Sequence, residues 1–227
     1  MITELTPEQR SLVLNCWKKW KSIALSTDKL QHEQAANTIK SAYQLMGFEE
    51  PSILFCNSPL QVLQQFGDPP SSTPPCNLFA VASGMHEQLR KQVTPLLWTR
   101  LWRRQSYVLG AKLSFSLHTS IIAALEAQLK CPLIVETQEQ IRAIAKAAGD
   151  VAILDFLTAT LGCNHDFAQQ WHTLLALIEN CPWHFAFEDV CIVYDRPTKI
   201  LPNSDGCLQI GEEPAMCRES LSVEWQR

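Results

Sequence analysis

The sequence predicts a single predominantly helical α+β domain spanning residues 1–227, with a small mixed or antiparallel sheet formed largely by the C-terminal third. Two observations favour this fold class. Apolar residues recur at intervals of three and four through most of the chain, which is the period of helices that bury one face. Two short apolar runs, Ser52–Cys56 and Val190–Tyr194, are bounded by proline and polar residues, which is typical of strands.

The composition is that of an ordinary globular protein. The chain has 227 residues, of which 46% are hydrophobic and 19% are charged, so it can bury a substantial core. A net charge of −4 argues against a nucleic-acid binder dominated by phosphate contacts. The start, MITELTPEQR, lacks the pattern of a signal peptide, and the apolar stretch Gln105–Leu125 carries Lys112 and His118, so we expect no membrane span. The nine cysteines are scattered, and no two form a CxxC pair. Without a signal peptide, this pattern favours reduced thiols in the cytoplasm over a disulfide framework.

The first part of the chain predicts a helical hairpin, a strand and a short helix. Thr6, with Pro7 and Gln9 after it, is a capping-box start for the first helix. Ser26–Asp28 are expected to close that helix and to cap a second one, which ends at Gly47. After the strand Ser52–Cys56, a brief helix is predicted to begin at Ser58-Pro59 and to end near Phe66. The Pro-rich segment 67–77 is expected to be an exposed loop.

The middle of the chain reads as helical from Leu78 to about Leu129, with breaks near Pro95 and Gly110. Pro132–Val135 is a candidate short strand. Two further helices follow in the prediction. One is capped by Thr137 and bends or breaks at Gly149-Asp150, and the other is capped by Asn164 or Asp166 and continues to Asn180.

The segment Cys181–Pro197 is the one around which we expect the fold to be organised. Trp183, Phe185 and Phe187 alternate with smaller or polar residues, and the run Val190–Tyr194 follows. We interpret this segment as a strand covered by helices. Residues 189–227 are predicted to supply strands and a hairpin. Its turn would be Pro202–Gly206, between Lys199–Leu201 and Cys207–Ile210, with a last strand at Leu221–Trp225.

Asn180–Pro197 resembles a bacterial family of unassigned function (a domain of unknown function) whose core pattern is N-C-x-W-x-F-x-F-E-x-V-C-I-V-x-D-R-P. Ile53–Pro59, the opening helix with Trp17 and Trp20, and Asp205-Gly206 followed by Pro214-Ala215 are also similar. The chain departs from the pattern at Glu212-Glu213, where the family tends to have glycine. The resemblance implies no activity, because the family has no assigned catalytic residues.

Soft and borderline ligands are concentrated around one predicted helix, and they raise the question of a zinc site. The candidates are Cys163, His165, His172, Cys181 and His184. The pairs Cys163/His165 and Cys181/His184 flank a helix of about 15 residues, which spans roughly 22 Å. One metal ion therefore cannot easily bind both pairs. We therefore expect no metal and no other cofactor. The motif beginning at His86-Glu87 is not a zincin motif, because Arg90 stands where the second histidine is required.

Paired carboxylates with a nearby guanidinium could support acid–base chemistry. The candidate catalytic residues are Asp166, Glu188, Asp189, Asp195 and Arg196, with His184 and a Cys181 nucleophile assisted by His184 or His172. The alternative interpretation is that Asp195 and Arg196 tie a strand end to its neighbours. Nothing in the sequence places these groups within reach of one another.

Surface recognition has a second set of candidates. Trp183 and Arg196 belong to the organising segment, and Arg100, Arg103 and Arg104 surround Trp98 and Trp102 in a basic and aromatic stretch.

In that basic and aromatic stretch, helical spacing favours a buried tryptophan face with a solvated arginine rim. We predict a non-enzymatic protein-interaction or regulatory module whose partner is another protein. The alternative is a hydrolase or metal-dependent enzyme that uses Cys163–His184 and Glu188–Arg196.

Overall fold

The computed structural model describes residues 1–66, 78–102, 112–133, 135–181, 183–202 and 221–224. The predominantly helical α+β fold predicted from the sequence is confirmed. The helices of the described residues are α1 (Pro7–Ala24), α2 (His32–Leu45), α3 (Pro59–Phe66), α4 (Leu78–Arg90), α5 (Pro95–Leu101), α6 (Lys112–Leu129), α7 (Val135–Asp155) and α8 (Ala168–Asn180). A π-helical turn, Phe156–Thr160, continues α7. None of these helices combines the length and apolar character needed to cross a bilayer.

The strands of the described residues form two small sheets. In the first, β1 (Ser52–Cys56) pairs in parallel with β3 (Val190–Tyr194), and β2 (His184–Ala186) pairs with the other edge of β3 in antiparallel orientation. In the second, β4 (Lys199–Pro202) pairs antiparallel with β5 (Leu221–Glu224), so the predicted last strand is confirmed over those four residues. Pro202, predicted as the first residue of the turn, is instead the last residue of β4, where it pairs with Leu221. The rest of the predicted turn, residues 203–206, the predicted strand Cys207–Ile210 and the Pro-rich segment 67–77 lie outside the described residues.

Strand β3 separates two hydrophobic cores. Its alternate residues Cys191 and Val193 belong to a core with α1, α2, α4, α5, α8 and the end of α7. Ile192 and Tyr194 belong to a second core, which α3, α6 and the start of α7 complete. Because successive side chains point to opposite faces, a strand covered on both sides is apolar throughout. The organising role expected for this segment follows from its central position.

The segment 183–194 is a hairpin of two strands, not the single strand expected from its apolar pattern. The chain turns between β2 and β3, where Phe187 N–H donates to Val190 O at 2.8 Å. Tyr43 of α2 holds this turn, because its hydroxyl donates to the Phe187 carbonyl at 2.5 Å. The acidic pair Glu188-Asp189, which interrupts the apolar pattern, forms the exposed turn.

Local capping signals identified some helix starts correctly and others wrongly. The capping box of Thr6 and Gln9 is present, and Ser58 Oγ accepts from the Gln61 amide at the start of α3. Helix α2 instead begins at His32 after Gln31, which makes no side-chain cap, so Ser26–Asp28 do not cap it.

The boundaries of α7 and α8 also differ from those predicted from the sequence. Helix α7 begins at Val135, so the candidate strand at Pro132–Val135 is wrong and Thr137 lies inside the first turn of α7, where it is buried. The helix continues through Gly149-Asp150 to Asp155 without a break. Helix α8 begins after Phe167, and neither Asn164 nor Asp166 caps it. Two of the side chains predicted as caps make contacts with distant elements instead: Ser26 Oγ accepts from Arg196, and Asp166 Oδ2 accepts from Gln88.

Candidate functional site

Arg196 joins the end of β3 to two other elements. Its Nη1 donates to Ser26 Oγ at 2.6 Å, and its Nη2 donates to the backbone carbonyl of Glu179 near the end of α8. Burial lowers the pKa of the guanidinium, and the nearby charge of Asp28 opposes that shift. The Arg196 head group is therefore used to connect β3, α8 and the loop before α2, which is the structural alternative considered from the sequence.

Asp195 meets a histidine that the catalytic candidates did not include. His32 Nε2 lies 3.5 Å from Asp195 Oδ1, and the imidazole stacks on Phe55 with ring centroids 4.2 Å apart. The pair stands at the carboxyl ends of the parallel strands β1 and β3, because Asp195 directly follows β3. An imidazole beside a carboxylate can exchange protons.

The other candidate carboxylates lie elsewhere. Glu188 and Asp189 form the turn that precedes β3, whereas Asp195 and Arg196 follow it, and five strand residues separate the two ends by roughly 16 Å. Asp166 is engaged with α4, where its Oδ2 accepts from Gln88 Nε2 at 2.9 Å. The structure therefore does not bring Asp166, Glu188, Asp189, Asp195 and Arg196 together into one site.

His184 and Cys181 contact each other through the backbone. His184 Nδ1 donates to the Cys181 carbonyl at 2.8 Å. Because a carbonyl oxygen only accepts, this bond assigns a proton to Nδ1 of the ring. Burial lowers the pKa of His184, while the hydrogen bond to Cys181 opposes the shift. The Cys181 side chain is 0% exposed, so a substrate cannot reach its thiol in this conformation.

Four of the five metal candidates flank α8, as the sequence indicated, and His172 lies on the helix itself. Cys163 and His165 precede the helix, Cys181 and His184 follow it, and its 13 residues span roughly 20 Å. His165 Nδ1 accepts the Phe167 amide at 3.2 Å, whereas the His172 side chain is exposed on α8. Over the described ranges, no group of three or more His, Cys, Asp or Glu side chains could hold a metal ion.

The described thiols differ in their exposure. Cys56, Cys163, Cys181 and Cys191 are buried and Cys16 is partly buried, but Cys131 is exposed. Burial raises the pKa of Cys56 and of Cys163, which disfavours the nucleophilic thiolate at both positions. The cysteines of the two cores are therefore packing groups.

The basic and aromatic stretch has the predicted division between core and rim where it is described. Trp98 and Leu101 are buried, and Trp98 stacks on Trp102 with centroids 5.5 Å apart. His86 of α4 packs edge-on against both tryptophans. Arg100 is exposed, and Arg103 and Arg104 lie outside the described residues.

Trp183, the other aromatic candidate for binding, is not available to a partner. Its side chain is only 3% exposed and belongs to the second core, where its ring lies 6.1 Å from that of Tyr194. The apolar pattern that singled out this residue is a packing signal.

A groove lies between α2 and α8, and of the candidate residues from the sequence it contains His172. Its volume is about 620 Å³, within the range of ligand-binding clefts. Helix α2 and the residue before it contribute Gln31, Glu33, Gln34, Asn37, Thr38 and Ser41. Helix α8 contributes His172, Thr173, Ala176 and Asn180. Hydroxyl and amide groups dominate this lining, and Asn180 Nδ2 donates to Thr38 Oγ1 at 3.2 Å to join the two walls.

The sequence contained a signal for this groove. Gln34, Thr38 and Ser41 recur at intervals of four and three, beside the buried stripe that includes Ala35, Ile39 and Ala42. Such a polar stripe normally indicates a solvated face, and only its contact with α8 makes it one wall of a groove.

The comparisons with known proteins identified no relative. No family model, no curated protein and no solved structure matches the chain.

Proposed function

We propose that this chain is a non-enzymatic protein-interaction module and that the α2–α8 groove binds a polypeptide segment of its partner. The observation that carries this proposal is the chemistry of the groove. Amide and hydroxyl side chains from two helices face one cleft, and such groups recognise the polar main chain and side chains of a peptide.

The use of the candidate catalytic groups supports the same proposal. Arg196 and Asp195 bond to other elements of the fold, and Cys181 is buried. Among the groove residues, Glu33 and His172 are the titratable side chains, and they stand on different helices. The motif at Asn180–Pro197 supports a relationship to the bacterial family that it resembles. The buried thiols, which serve as packing groups, would agree with a cytoplasmic location.

Site-specific photocrosslinking in the native host tests the proposal. A photoreactive phenylalanine analogue replaces Asn37, an exposed residue of the groove wall, and in a second protein it replaces Gln128, an exposed residue of α6. The expected result is one defined partner polypeptide crosslinked at position 37 and absent at position 128.

Two outcomes would contradict the proposal. The first is that position 37 yields no crosslinked polypeptide although the protein is folded and expressed. The second is that the purified chain contains stoichiometric zinc and loses it when Cys163 or His184 is replaced, since that result favours the alternative of a metal-dependent hydrolase.

A further inference from the structure

Each hydroxyl group that lines the α2–α8 groove donates a hydrogen bond to a backbone carbonyl of its own helix. Ser41 Oγ donates to the Asn37 carbonyl at 2.9 Å, and Thr173 Oγ1 donates to the Gln169 carbonyl at 3.0 Å. Thr38 Oγ1 donates to the Gln34 carbonyl at 2.8 Å. A carbonyl oxygen can only accept, so each hydroxyl proton is committed to the backbone. Toward a ligand, Ser41 and Thr173 therefore present lone pairs.

The charged and amide groups of the groove shift the balance in the same direction. Asn180 uses its Nδ2 on Thr38, which leaves its Oδ1 as an acceptor. Glu33 is an exposed carboxylate in the first turn of α2, where the helix dipole stabilises a negative charge. Among the described residues that line the groove there is no lysine or arginine to match it. Gln31, Gln34 and Asn37 carry donors and acceptors alike, as does the uncharged form of the His172 imidazole, so the excess comes from the remaining groups and is one of acceptors.

We infer that the α2–α8 groove is specific for an arginine side chain presented by the partner's polypeptide segment. Guanidinium has five N–H donors in one plane and no acceptor, so it complements acceptors distributed over two walls and a carboxylate at their edge. The net charge of −4 on the chain has the sign that favours such a partner. This inference rests on the proposed function and adds the chemistry of the bound segment.

Peptide titration of the full-length, isotope-labelled chain tests it by nuclear magnetic resonance. The probe is a short acetylated and amidated peptide pool with arginine fixed at its centre. The matched probe carries citrulline, which has the same shape and no charge. We expect the arginine pool to shift the backbone amide resonances of Ser41, Thr173 and Ala176, and the citrulline pool to bind about tenfold more weakly, as the loss of one charge-assisted hydrogen bond implies.

Two variants locate the effect. Glu33→Gln removes the carboxylate of the groove and is expected to weaken binding of the arginine pool about tenfold. Glu4→Gln makes the same charge change at an exposed residue outside the groove lining and should leave binding unchanged. Thermal unfolding of both variants checks that they remain folded.

Three results would overturn the inference, and each can be distinguished from a failure of the proposed function. If the arginine and citrulline pools shift the amide resonances of the groove residues equally, the charge of the side chain does not contribute to binding. Equal binding of free agmatine would assign the site to a small cation in place of a polypeptide. A crosslinked partner segment at position 37 without arginine would retain the interaction function and remove its arginine specificity.

Discussion

Trp20 of α1 and Asp155 at the end of α7 are joined by a 2.7 Å hydrogen bond from the indole Nε1 to the carboxylate Oδ2. The same oxygen lies 3.4 Å from Lys19 Nζ, and the Cys16 thiol donates to the Ala152 carbonyl one turn earlier in α7. One face of α1 therefore binds the end of α7 where the helix changes to a π-helical turn.

Replacing Asp155 should weaken this junction. Asp155→Asn removes the charge that accepts from Trp20 and pairs with Lys19, and its side chain is mostly buried. We expect the free energy of unfolding in urea to fall by about 1–3 kcal/mol. Asp189→Asn, in the exposed turn, is the control and should change stability by less than about 0.5 kcal/mol. An unchanged unfolding midpoint for Asp155→Asn would contradict the role given to this carboxylate.

The Cys16 thiol is expected to be unreactive. Burial, followed by the negative charge of Asp155, raises its pKa to about 12, so almost no thiolate is present near pH 8. In a timed alkylation of the native protein followed by mass spectrometry, exposed Cys131 should be labelled well before Cys16. Denaturant should remove the difference. Equal labelling rates in the native state would show that Cys16 is neither buried nor influenced by Asp155.

Tyr43→Phe should destabilise the protein. The Tyr43 side chain is 1% exposed, and its hydroxyl donates to the Phe187 carbonyl in the turn of the β2–β3 hairpin. Loss of the donor leaves a carbonyl of the turn without that bond, at an expected cost of about 1–2 kcal/mol in unfolding free energy. Chemical denaturation measures the change.

Tyr194→Phe is the matched substitution with the opposite expectation. Tyr194 is also 1% exposed, but its buried hydroxyl has no hydrogen-bond partner in the described part of the chain. Removing a buried polar group that makes no bond should leave stability unchanged or raise it by about 1 kcal/mol. A loss of stability equal to that of Tyr43→Phe would mean that the hydroxyl of Tyr194 is satisfied, for example by a buried water.

Gly84→Ala tests the close approach of α4 to Phe167. A Cβ at Gly84 would lie 2.8 Å from Phe167 Cζ and 3.1 Å from Cε2, inside normal contact distance. Alanine favours helices over glycine by about 1 kcal/mol, so a destabilisation of about 1 kcal/mol or more identifies the contact as its cause. When Phe167→Ala has removed the ring, Gly84→Ala should become stabilising. The same sign in both backgrounds would refute the packing explanation.

Some interactions between residues close in sequence were predictable, because their geometry depends on the backbone that they share, although the caps predicted at Ser26–Asp28 and Thr137 were wrong. The capping box of Thr6 with Gln9, the start of α3 at Ser58-Pro59, and the strand Val190–Tyr194 belong to this class. Gly47, predicted to end α2, has a φ of +81°, which glycine adopts without steric cost.

The candidate site and the junctions between helices depended on contacts that no local pattern contains. Arg196 bonds to Ser26 across 170 positions, Trp20 to Asp155 across 135, and Asn180 to Thr38 across 142. A polar stripe on α2 reads the same in the sequence whether it faces water or a second helix. Periodicity reports which face of an element is apolar, whereas the identity of the neighbouring element is set by how all the faces pack together, and that packing made α2 and α8 the walls of one groove.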